Sequence, residues 1–63
     1  MSDEEEERRR RNVIRIAAES SVLTADQRVF LREVEAEIGA GITPNPIVRW
    51  QVRRLVGRVA TGP

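Results

Sequence analysis

The segment Asn45–Ala60, NPIVRWQVRRLVGRVA, decides how this chain of 63 residues is read. Wound as a helix at about 100° per residue, it gathers Val48, Val52, Leu55, Val56 and Val59 on one face. Trp50 centres the opposite face, with Gly57 two turns on beside it. Arg49 and Arg53 border that Trp on one flank, Arg54 and Arg58 on the other. The valine face asks for a core. The Trp face asks for a different account, because Trp and Arg are the side chains most enriched at the energetic centres of protein interfaces.

Immediately upstream, Thr43-Pro44-Asn45-Pro46 offers two helix starts. Asn45 is the better N-cap: the residue before a proline is pushed into the extended region, and proline suits the first helical position. Before it, Gly39-Ala40-Gly41 is a flexible joint, with Gly39 expected just past the end of the preceding helix. Ile42 is expected to fold back onto the core.

That preceding helix opens at Thr24, whose partner three residues on, Gln27, completes a capping box, and Asp26 adds charge to the first turn. Phe30, Leu31, Val34 and Ile38 form its main face. Ala25, Val29 and Ala36 form a smaller stripe almost opposite, so this helix is expected to be touched from both sides, within the fold or by a second subunit. Val22 and Leu23 in the connection before it are expected to be buried.

The first helix begins in a charged block, Glu4–Glu7 then Arg8–Arg11, in which every glutamate precedes an arginine by four residues. Each such pair is worth about 0.2–0.5 kcal/mol in an isolated helix. Ser2 with Glu5 reads as a capping box, and the helix start lies between Asp3 and Asn12. Beyond Asn12, Val13, Ile14, Ala17 and Ser21 share a face, with Ile16 and Ala18 at its margins. No alternating strand pattern is present. The fold class is all-α, a small three-helix domain with helices at about 3–20, 25–38 and 46–60. Residues 1–12 form a charged N-terminal helical extension and residues 13–63 a single helical domain, with the first two helices paired antiparallel and the third closing the core.

Composition sets the limits on function. A chain this short buries only ~60% of the surface its unfolded form exposes. With no cysteine and no histidine, disulfides and the usual zinc chemistry are closed to it. Self-association is the remaining stabiliser, so a homo-oligomer is one expected form. The acidic N-terminus lacks the basic and apolar regions of a signal peptide, and no apolar run approaches the ~18 residues of a membrane span. A soluble, cytoplasmic chain is expected. All eleven basic residues are arginine, which codon usage in a GC-rich genome accounts for more simply than selection for the guanidinium fork.

Catalysis has little to work with. There is no His, Cys, Lys or Tyr to act as base, nucleophile or proton shuttle, and no serine has a base near it in sequence. No GxGxxG, P-loop or HExxH pattern occurs. Glu33 and Glu37 alone fall short of a calcium or magnesium site. The sequence therefore assigns no catalytic residue, no metal, no cofactor and no small-molecule substrate.

What remains is binding. The net charge of +1 conceals a partition: −1 over residues 1–12, −2 over 13–41 and +4 over 42–63. The expected contact surface is Trp50 with Arg49, Arg53, Arg54 and Arg58, and the expected partner is a protein or a second copy presenting acids around an apolar socket, the copy's Glu33–Glu37 segment among them. Such a chain would be a small regulatory or adaptor protein. A competing reading packs Trp50 inward, with the arginines snorkelling over it. The alternative function is a small DNA- or RNA-binding regulator using the same helix. Against it stand the acidic second helix and about six residues between the helices, where a helix-turn-helix has three or four. A membrane-surface helix is set aside, since interfacial helices keep Trp on the apolar side.

Overall fold

In the computed structural model, residues 3–62 are described, and among them the chain forms three helices and no strand. These are α1 (Asp3–Ala17), α2 (Ala25–Gly39) and α3 (Pro46–Thr61). The small all-α, three-helix class expected from the sequence is what the chain adopts. None of these helices is long and apolar enough to cross a membrane.

Local chemistry explains each boundary. α1 runs unbroken from Asp3, with acids in its first turn at the positive end of the helix dipole. The capping box of Ser2 with Glu5 involves a residue outside the described ones. α1 ends at Ala17, short of the expected Ser20. The reason is a tightening of its last turn: the N–H groups of Glu19 and Ser20 donate to the carbonyls of Ile16 and Ala17, both at 3.1 Å. Ser20 then accepts the N–H of Val22 on its own hydroxyl at 3.2 Å. A serine that bonds the backbone two residues on favours a turn over a further helical turn.

α2 opens with the full capping box: Gln27 N–H donates to Thr24 Oγ1 at 3.2 Å, and Thr24 N–H donates to Gln27 Oε1 at 2.9 Å. Its end differs from expectation. Gly39 is the last helical residue, Ala40 is the cap, and Gly41 carries the positive φ of 87°. Gly41 N–H donates to the Ile38 carbonyl at 3.0 Å, and Ile42 N–H to the Glu37 carbonyl at 2.9 Å. These are the paired bonds of a Schellman motif, placed two residues later than the first glycine suggested. Gly39 has another use. A Cβ there would stand 3.0 Å from Arg11 Nη2, so the guanidinium from α1 lies against the bare last turn of α2. α2 has no basic residue of its own in that turn, and a cation at a helix C-terminus is favourable.

α3 starts as expected, with Asn45 extended at ψ 165° and its Oδ1 accepting the Val48 N–H at 2.9 Å. Pro46 takes the first helical position.

The buried core is Ile14, Ala17, Ala18, Leu23, Leu31, Val34 and Ile38. Phe30 from α2 and Val48, Val52, Leu55, Val56 and Val59 from α3 pack against it, only partly covered. α1 lies against both other helices, while the backbones of α2 and α3 approach each other only slightly. That central role turns the buried face of α1 toward Ala18: Ile14, Ala17 and Ala18 are buried, whereas Val13, Ile16 and Ser21 face solvent. The small pair Ala17–Ala18 is what lets two neighbours come close. Of the connecting residues, Leu23 is buried and Val22 half-buried. Ile42 does not fold back; it is 54% exposed.

Candidate protein-binding face on α3

The sixteen residues of α3 carry four arginines and no acid. Because the core takes Val48, Val52, Leu55, Val56 and Val59, the opposite side of the helix is left to solvent. Trp50 sits there, 57% exposed, and Ile47 three residues earlier is 70% exposed. The inward packing of Trp50 is therefore not what this fold does with its only tryptophan. Arg54, one turn on, lies over the indole with its Cζ 4.9 Å from the ring centroid. A guanidinium at that distance is attracted by the ring quadrupole, by about 0.5–1 kcal/mol at exposed sites. The contact also limits the freedom of both side chains, so less entropy remains to be lost when a partner covers them.

The four arginines do not form one patch. Arg49 and Arg53 line a cleft of about 750 Å³ between α3 and the charged half of α1, where Asp3, Glu6, Glu7, Arg9 and Arg10 also stand. The floor of that cleft is apolar, with Val13, Ile38, Ile42 and Val56 among its residues. Arg54 and Arg58 line a smaller cleft of about 330 Å³ on the other side, beside Asp26, Phe30 and Leu55 of α2 and α3. Of the five residues singled out from the sequence, Trp50 and Arg54 are in contact. Arg58 joins Arg54 on one flank, and Arg49 with Arg53 turns to the far flank. All four arginines are exposed.

Sequence reasoning placed Ile47 only among the base-reading candidates of the nucleic-acid alternative, with Asn45, Arg49 and Trp50, and left it out of the protein-binding set. Its signal was available: three residues before Trp50, it falls on the same side of the helix as Arg54, away from the valine face. Gly57 completes the stripe. A Cβ built there would meet nothing within 4 Å.

The charged side chains are carboxylates and arginines, exposed apart from the half-buried Arg28 and Glu35, and no group of three or more His, Cys, Asp or Glu among the described residues is placed to hold a metal ion. The face is built of an aromatic plane, an aliphatic knob and positive charge. It can cover apolar surface and pair with acids. No family model, no curated protein and no solved structure matches the chain.

Proposed function

We propose that this chain is a small non-catalytic binding module that engages protein through the outer face of α3, centred on Trp50 and Arg54. One observation carries the reading: the only tryptophan is 57% exposed, with a guanidinium stacked on it, on a helix without an acid. Large indole surface in water is unfavourable by about 25 cal/mol per Å² of apolar area left uncovered, and Trp and Arg are the residues whose burial contributes most at interfaces. A partner suited to this face presents acids around an apolar socket. Arg54 and Arg58 would meet the acids, and Trp50 with Ile47 would fill the socket.

The alternative is a small DNA- or RNA-binding regulator reading with the same helix. It has less behind it. The two arginine pairs diverge to opposite flanks. Six residues, Ala40 to Asn45, separate α2 from α3, more than a helix-turn-helix uses. α2 would bring four carboxylates toward the phosphates.

Wild-type and Trp50→Ala chains, immobilised side by side in nuclease-treated extract, separate these readings. The expected result is a protein with an acidic face, a second copy of this chain among the candidates, held by the wild type and released from the variant. The emission of Trp50 should then shift to the blue when the purified pair is reconstituted. Retention that ignores Trp50→Ala would remove the face from consideration. Binding only to nucleic acid, with log affinity falling by about 0.9 per phosphate contact for each tenfold rise in salt, would establish the alternative.

A further inference from the structure

Ile47, Trp50, Arg54, Gly57 and Thr61 recur along α3 at spacings of three and four, the seam spacing of two helices packed side by side. Gly57 makes the seam informative. It lies inside the helix, its φ is not positive, and the space around it is open. The isolated fold has no use for a glycine there, since a helix-interior glycine is less stable than alanine. What glycine supplies at such a place is close approach of another backbone. α3 is also the one helix with no fully buried residue.

Charge and shape indicate what approaches. α3 has four arginines and no acid. α2 has Asp26, Glu33, Glu35 and Glu37 against two arginines. The outer stripe of α2, Ala25–Val29–Ala36, is uncovered, with Val29 49% exposed. Glu33, Asp26 and Glu37 follow one edge of that stripe, Arg28 and Glu35 the other, and Arg32 stands within it between Val29 and Ala36.

We propose that the occupant of the α3 face is a second copy of this chain, docked through the outer face of its α2, with Gly57 as the notch that admits the partner helix. The inference rests on the reading of the Trp50 face as a protein-binding surface and adds which protein and which face. A pairing of α3 with α3 would instead gather the arginines of both copies without a counter-charge. Because the two patches differ, the contact closes as a two-fold pair when both copies satisfy both patches, and otherwise propagates.

Sedimentation over a wide dilution series, with Trp50 emission read in parallel, tests this. The wild type is expected to associate, with the emission moving to the blue as it does so. Val29→Arg and Gly57→Leu should each weaken association by about tenfold or more. Both should keep the helical circular dichroism of the monomer, and Gly57→Leu should raise its melting temperature. The decisive arm is a mixture. Trp50→Ala keeps a sound α2 face and Val29→Arg a sound α3 face, so neither associates alone but together they form a heterodimer. A wild type that stays monomeric at every concentration overturns the inference while leaving the Trp50 face open to another acidic protein. Val29→Arg associating like the wild type, with Trp50→Ala monomeric, overturns it in favour of α3 pairing with α3. Association that neither substitution affects overturns the inference and the Trp50 reading together.

Discussion

The α1–α2 pair and α3 use their apolar side chains differently. Among the described residues, all seven buried side chains come from α1, α2 and the connection between them, and none from α3. Yet α3 carries Val48, Val52, Leu55, Val56 and Val59 on one side and Ile47 and Trp50 on the other. The first region puts apolar surface into a buried core while leaving Val13, Ile16 and the Ala25–Val29–Ala36 stripe to solvent. The third helix has divided it between a half-covered face that holds the helix to the domain and an uncovered face that holds nothing within it. A helix can be attached and available at once, at the cost of being the least securely held of the three.

The contrast breaks most readily at Leu31, which is fully buried. Leu31→Ala should cost about 3 kcal/mol, most of what a core of this size supplies, and chemical denaturation followed by circular dichroism should find part of the population unfolded before denaturant is added. Asn45→Ala probes the attachment of α3. Removing the oxygen that accepts the Val48 N–H should cost about 1 kcal/mol. If α3 is held separately, hydrogen exchange should quicken in its first turns while the amides of α2 around Leu31 keep their protection; uniform acceleration would mean that all three helices open as one unit. Trp50→Ala should be the mildest, within about 0.5 kcal/mol of wild type in denaturation experiments on the monomer. A loss of several times that would show the indole to be a structural residue and erase the distinction between the two faces of α3.

Features set by neighbours in sequence were legible before the structure. Thr24 with Gln27 and Asn45 with Pro46 cap their helices as expected, because a cap is satisfied within four residues. The valine face of α3 was legible for a similar reason: a helical period and five apolar residues leave little choice of which side turns inward. Misplaced features depend on competition or on distant partners. Gly39 and Gly41 are both able to end a helix, and the choice fell to Gly41 because the Glu37 and Ile38 carbonyls find their donors on Ile42 and Gly41. Val13 and Ile16 lie close enough to Ile14 and Ala17 to join their face, but contact with two helices turned α1 toward Ala18. The division of Arg49 and Arg53 from Arg54 and Arg58 onto opposite flanks was legible from helical spacing, but the cleft that the first pair lines beside the acids of α1 was not, since it depends on where the first half of α1 lies beside α3. The valine face set Trp50 opposite the core, but inward packing stayed a competing reading because it turns on whether another helix covers that side, and none does.

The packing of α3 chiefly on α1 also shapes how the chain folds in time. The α1–α2 contacts join neighbours in sequence and can form early, whereas the α1–α3 contacts wait on a loop that encloses all of α2. In refolding from denaturant, the first two helices can therefore pair before the third is recruited. During that interval Ile14, Val34 and Ile38 face an open trough that only α3 will later cover. The slow step in reaching the native state is then the arrival of α3, and a short helix from any other source is its competitor for the same trough.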